Sequence, residues 1–279
     1  MKKVFSIEEW LKASFQILKI NWLEWVFVSV VTTVILSGIF YFSFGQIFTR
    51  VLDIIKDQNN WEKSLLEIAG VGAFYLIGMI LFLNFLDLFL IHRTSSWYLG
   101  TNVSIETNLL KALSSMPMAI LLSSAYIIMA FIAFMLCVFP VILVSVFFLF
   151  IFQALVIEDK GLDSFGRSIE LVKENFGNFL VIPFILSFAF QIVDTIPFYI
   201  VQGLFNNAFT SESLDKMQPK EVFDLLSNSP YTYLVLVFGL FFFSLQANLK
   251  SILYTVAFEE ARKEVQPEQT EIIKEDKFN

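Results

Sequence analysis

Two aspartates stand inside apolar sequence, and they are the residues best placed to do chemistry. Asp87 lies in Leu83-Asn84-Phe85-Leu86-Asp87-Leu88, and Asp194 lies in Gln191-Ile192-Val193-Asp194-Thr195-Ile196-Pro197. A charged carboxylate in hydrocarbon costs about 2.5–3.5 kcal/mol even on the insertion scale, so such a residue marks a functional site by default. With Asn84 and Gln191 nearby in sequence, the pair forms a candidate intramembrane polar site that suits a small-solute or lipid transporter or channel. A structural reading stands beside each. Asp87 is near enough to a membrane surface to be hydrated or paired with Arg93. Asp194 reaches the outer headgroups if its helix is straight, and lines a polar cavity with Gln191 if Pro197 breaks that helix. Gln153, Gln246 and Asn248 read more simply as interhelical hydrogen-bonding groups.

Other chemistries lack material. The chain has one histidine, His92, and one cysteine, Cys137. No intrachain disulfide can form, and Cys137 sits among apolar neighbours as inert packing. Zinc sites, Ser-His-Asp triads and histidine relays have almost nothing to build on, and no glycine loop cradles a phosphate. Neither enzyme activity nor any cofactor is therefore expected. A net charge of −7 argues against nucleic acid.

The elements that must position these residues follow from composition. Of 279 residues, 57% are apolar, 34 are Phe and 16% are charged. Soluble domains carry about 25% charged residues, so the sequence predicts an integral membrane protein. Charge-free runs cover Trp25 to Thr49, Ile68 to Leu86, Ala112 to Ile157, Asn175 up to Glu212 with Asp194 as the one interruption, and Leu225 to Leu249. The third run would be about 69 Å long as one helix, so it must fold back, with the turn at Cys137-Val138-Phe139-Pro140. Six transmembrane helices result, in an all-α, polytopic fold. Further short helices are expected on the outer face, one between the first two spans over Val51 to Leu66 and one starting at Pro219. The membrane domain covers 1–264, and 265–279 reads as a disordered cytoplasmic tail.

No cleaved signal is expected, because Glu8, Glu9, Lys12 and Lys19 interrupt what would be its apolar core. Of the 19 Lys and Arg residues, 14 fall on the N-terminal side of the membrane under six crossings. That excess places both termini in the cytoplasm and the protein in the cytoplasmic membrane.

A repeated pattern organises the chain. Ser14-Phe15-Gln16-Ile17-Leu18-Lys19-Ile20-Asn21-Trp22 precedes the first span, and Ser168-Ile169-Glu170-Leu171-Val172-Lys173-Glu174-Asn175-Phe176 precedes the fifth. In a helix Ser14, Ile17, Leu18 and Asn21 share one face, as do Ser168, Leu171, Val172 and Asn175. Each unit is expected to be an amphipathic helix along the cytoplasmic interface, ending in an aromatic anchor. Ser6 and Glu9 form a capping-box pattern ahead of the first copy. A weaker third copy starts at Ser104-Ile105-Glu106, giving three units of one interfacial helix and two spans: 1–93, 101–160 and 161–264.

Phe148 to Phe176, FLFIFQALVIEDKGLDSFGRSIELVKENF, resembles a signature of bacterial six-span proteins related to the membrane domain of glycerophosphoryl diester phosphodiesterases. The matching features are Pro140, Glu158-Asp159-Lys160-Gly161 and Arg167-Ser168 through Phe176, while Ser164 stands where a small alanine is usual. The resemblance implies a fold more than an activity. The phosphodiesterase activity of those relatives belongs to a separate soluble barrel with histidines and metal ligands, for which this chain shows no counterpart. The expected role is a non-enzymatic one, scaffolding or lipid organisation. Its partners would be the lipid bilayer and either another membrane protein or further copies of the chain.

Overall fold

The computed structural model describes residues 5–56, 61–101, 103–136, 138–208 and 230–265, and the described elements are helical throughout. They are α1 (Ile7–Ile20), α2 (Trp22–Lys56), α3 (Trp61–Tyr98), α4 (Ile105–Leu136), α5 (Val138–Phe147), α6 (Ile151–Glu158), a 3-10 turn (Gly161–Asp163), α7 (Ser164–Glu174), α8 (Phe176–Ala208) and α9 (Pro230–Val265).

Five helical stretches are long and apolar enough to cross a membrane: Trp22–Ser43, Leu65–Tyr98, Ile105–Leu136, Pro140–Glu158 and Tyr233–Lys263. A sixth is reached when the bent pair Gly161–Glu174 and Phe176–Gln191 is taken as one span. Phe15, Phe27, Phe74, Phe131, Phe134 and Phe188 are each more than half exposed, which water would not tolerate and lipid does. The turn expected at Cys137 to Pro140 matches the change from α4 to α5. Three features differ from the sequence expectation. Val51 to Lys56 continues α2, and Trp61 to Leu66 begins α3, so among the described residues these stretches belong to the two long helices and not to a separate outer one. The fourth span is broken at residues 148–150. The last helix runs on to Val265, well past Leu249. The helix expected at Pro219 and the tail from 266 onward lie outside the described residues.

The chain divides into two compact units. The first comprises Met1–Trp22, Leu81–Leu186 and Asn248–Asn279, and the second Leu23–Ile80 and Ser187–Ala247.

In the first unit Trp10, Phe150, Phe179, Phe258, Ile91 and Leu171 have no exposed surface. Phe5 packs on Phe179 at 4.7 Å between ring centroids, and Phe150 packs on Phe179 at 5.0 Å and on Phe258 at 5.7 Å. One aromatic cluster therefore ties the N-terminal strand of chain to α6, α8 and α9. Trp10 adds a directional bond, its indole Nε1–H donating to the Leu253 carbonyl at 2.9 Å. A buried indole needs such an acceptor.

α1 buries Trp10, Ser14 and Ile17 and exposes Glu8, Glu9, Lys12, Gln16 and Lys19. Its N-cap Ser6 accepts from the Glu9 amide at 3.4 Å, in the position the capping-box pattern implies. The ammonium of Lys12 bonds Glu8 one turn away, and this hydrogen bond and charge hold the Glu8 carboxyl below its ordinary value.

In the second unit Ser29, Thr32 and Thr33 are buried yet return their hydroxyls to carbonyls one turn back, at 2.7–2.9 Å. That local bond satisfies a hydroxyl hydrogen inside an apolar span. Gln246 Nε2 donates to the Phe190 carbonyl at 3.2 Å, the interhelical bond its sequence position suggests.

Candidate functional site

The polar face of α9 runs the wrong way for an ordinary membrane helix. Asn248, Ser251, Thr255 and Glu259, spaced three or four residues apart, are all at most 5% exposed. Residues at that spacing form one stripe, so within the first unit this helix turns hydroxyl, amide and carboxyl groups inward.

α3 supplies the opposing face. Asp87 lies beside the Ser251 hydroxyl and within electrostatic reach of Lys250. Eight residues further on, Ser95 donates its hydroxyl to Glu259 Oε1 at 2.5 Å. Both pairings join residues 164 apart in sequence. Equal steps in the same direction mean that the two helices run parallel here. Tyr98 then donates to Glu260 at 2.5 Å, and Lys263 lies over its ring at 4.3 Å.

Glu259 is 1% exposed and pairs with Arg262 at 3.1 Å. It also lies within electrostatic reach of Glu158 at the end of α6. Glu158 is itself held by Arg167 on α7, through Nε at 2.8 Å and Nη2 at 3.0 Å, while Nη1 reaches Glu170 at 2.8 Å. Burial opposes the charge on Arg167, but the hydrogen bonds and charges of Glu158 and Glu170 outweigh it and hold the guanidinium above its ordinary value. Local backbone makes this meeting reachable. α6 ends at Asp159, which takes the left-handed conformation at φ 53°, and Gly161 follows at φ 54°, so the chain reverses sharply from α6 into α7.

Sequence-derived candidates fall in different places. Asn84 and Asp87 are half-buried on α3 in the first unit. Gln191 is exposed on α8 in the second unit, and the Asp194 side chain lies outside the described residues. Ser14 and Ser168 are both buried, at 1% and 0% exposure. Ser168 accepts from the Phe150 amide at 3.0 Å and donates to the Phe147 carbonyl at 2.8 Å, so it caps the break between α5 and α6. Asn21 and Asn175 each stand just beyond a helix end, and each sends its backbone N–H back to a carbonyl, Ile17 and Val172 respectively. Their side chains diverge. Asn21 Nδ2 donates to Ile17 O at 3.0 Å, whereas Asn175 Oδ1 accepts from the Phe5 amide at 3.3 Å, and Asn178 Nδ2 donates to the Phe5 carbonyl at 2.7 Å.

The third stretch behaves differently. Ser104 accepts from the Thr107 amide at 3.1 Å, as a cap should, but α4 then continues unbroken from Ile105 to Leu136. α7 and α8, by contrast, meet at 99°.

Sequence reasoning missed Ser95, Glu259 and Arg262. The signal is the spacing of Asn248, Ser251, Thr255 and Glu259, which a span read from its charge-free run alone conceals, because that run ends at Leu249. Among the described residues no group of three or more His, Cys, Asp or Glu side chains is placed to hold a metal ion.

A profile described as a domain of unknown function (DUF7847) matches residues 74–258, more than half of the chain. The chain belongs to that family. The matched segment contains Asp87, Ser95, the Glu158–Arg167 pair and Ser168, while α1 precedes it and Glu259 follows it by one residue. No curated protein and no solved structure matches.

Proposed function

We propose that the protein is a non-enzymatic, multi-pass protein of the bacterial cytoplasmic membrane that organises lipid, acting as a scaffold through α1 and α7 held in the cytoplasmic headgroup layer. The observation that carries this reading is the 99° bend between α7 and α8. If α8 crosses the bilayer, a helix at right angles to it lies in the membrane plane. Six crossings then follow: α2, α3, α4, α5 with α6, α8 and α9. The Lys and Arg distribution puts α1, α7 and both termini on the cytoplasmic side.

α7 does not hang loosely. Arg167 and Ser168 fasten one face to α6 and α5, leaving Ile169, Glu170, Lys173 and Glu174 exposed. α1 likewise exposes Phe15, Lys19 and Ile20. Apolar groups beside a lysine suit the boundary between acyl chains and anionic headgroups. Fixed wedges of this kind would order neighbouring lipids and give a partner protein, or another copy, a defined surface. The resemblance of Phe148 to Phe176 to membrane domains joined to lipid-headgroup enzymes supports the same direction, as does the motif shared by Ser14 to Trp22 and Ser168 to Phe176.

The test is reconstitution into vesicles containing anionic phospholipid with an interfacial polarity dye. Wild type is expected to shift the dye signal in proportion to the protein-to-lipid ratio, and a Lys19→Glu, Lys173→Glu double variant to lose most of the shift. An equal shift from both proteins would contradict the reading.

A further inference from the structure

A groove of about 560 Å³ lies within the second unit, between α2 and α9. Val30 and Val34 on α2 face Val237, Phe238 and Phe241 on α9, with Tyr233 at one end. Thr33 also lines it, but gives its hydroxyl hydrogen to the Ser29 carbonyl at 2.7 Å, and the lining is almost wholly hydrocarbon. Phe242 packs on Phe238 at 4.9 Å between ring centroids and on Phe241 at 5.8 Å, which holds that wall in place before anything binds.

The register of the two helices sets the depth of the groove. Tyr41 packs on Tyr233 at 5.9 Å between ring centroids, while the lining comes from residues before Tyr41 on α2 and after Tyr233 on α9, so the helices run antiparallel. Tyr233 is the first residue of one apolar stretch, and Tyr41 lies two residues from the end of another, Trp22–Ser43. The tyrosine pair therefore marks one membrane surface, the level at which an apolar ring with a polar tip anchors a span. From Tyr233 to Phe241 the groove descends eight residues, about 12 Å. Half of a hydrocarbon core about 30 Å thick is about 15 Å, so the groove covers most of a single leaflet.

Its surroundings and its width decide what fills it. The groove opens on a face that already meets lipid, since Phe27, Val34 and Leu234 are each more than half exposed within these two spans. Spread over about 12 Å, 560 Å³ is a section of about 47 Å², less than the area of about 80 Å² that a helix about 10 Å across takes up. Alkyl chains, whose atoms settle about 4.0–4.5 Å apart, need about 20 Å² each, so two fit side by side. The exposed rim is Val30, Val34, Leu234 and Val237, bulky and apolar, whereas transmembrane helices associate through small residues and interhelical hydrogen bonds.

We propose that the groove between α2 and α9 binds one diacyl phospholipid, its two chains along Phe238 and Phe241 and its ester groups level with Tyr41 and Tyr233. This goes beyond the lipid ordering proposed for α1 and α7 and rests on none of their residues.

Phospholipid phosphorus counted per chain tests this, after the full chain is reconstituted into phosphatidylglycerol vesicles, taken up in mild detergent and washed on a column. Wild type is expected to retain one more phospholipid per chain than a Val34→Trp, Val237→Trp variant, whose indoles fill the groove. Both positions are exposed, so the variant is expected to fold, which an unchanged helical circular dichroism signal checks. Ile128→Trp, Phe131→Trp, at exposed positions on α4, is expected to retain as much as wild type. So is Lys19→Glu, Lys173→Glu, which separates the groove from α1 and α7. Equal phospholipid on wild type and the groove variant would overturn the proposal, as would a free fatty acid or a protein chain as the species that the groove variant loses.

Discussion

Arg167 and Glu158 meet side-on in a two-bond fork, with side chains only 5% and 10% exposed. The pair fixes the start of α7 against the end of α6. Removing one partner of a buried pair leaves the other charge stranded, at a cost of about 3–5 kcal/mol. Arg167→Ala is expected to lower stability by that amount in a reversible detergent unfolding titration. Arg167→Lys should recover only part of it, because an ammonium cannot reproduce the fork.

The two copies of the Ser-Asn motif should respond unequally. Ser168→Ala strands the Phe150 amide in the interior, a loss of about 1–3 kcal/mol. Ser14 has no partner for its buried hydroxyl among the described residues, so Ser14→Ala is expected to be neutral or slightly stabilising. The same titration, run on both variants, checks the difference. Equal losses would mean that the motif has one role in both places.

Asn178 and Asn175 grip Phe5 through both its backbone groups. Asn178→Ala should loosen the entry to α1 while leaving α7 in place. Hydrogen exchange of residues 7–20 is expected to accelerate, with a local loss of about 1–3 kcal/mol. Exchange in α7 should not change.

Glu8 gives a small pH effect of definite sign. Lys12 holds its carboxyl low, so the favourable contribution is present above the ordinary carboxylate value and disappears as pH falls through the lowered one. The pair is on the surface, so the consequence is confined to the first turn of α1. In Lys12→Ala the Glu8 side-chain carbon should titrate at the ordinary position by NMR.

Much of the helical framework was legible because 20-residue apolar runs have few alternatives, and Pro140 marked its turn by a local steric rule. The repeat motif pointed to residues that do structural work, since Ser168, Asn21 and Asn175 all bond at helix breaks. What escaped were long-range pairings. Nothing in the spacing of Glu158 and Arg167 says that they bond, because the reversal at Asp159 and Gly161 brings them together. Glu259 was hidden for a related reason. A carboxylate beyond a charge-free run looks solvated, and only burial shows that α9 keeps it inside. Asp87 was visible from the start, but its neighbour Ser251 comes from a helix 164 residues away.

The central claim is that α1 and α7 lie at one membrane surface. The chain has a single cysteine, Cys137, so a Cys137→Ala background allows single cysteines at Lys19 and Lys173 to be labelled one at a time with a nitroxide. Both labels are expected to report the same shallow depth by power-saturation EPR, and the two cysteines, before labelling, to react with an impermeant thiol reagent only from the cytoplasmic face. Labels on opposite faces, or either one at the bilayer centre, would contradict the account.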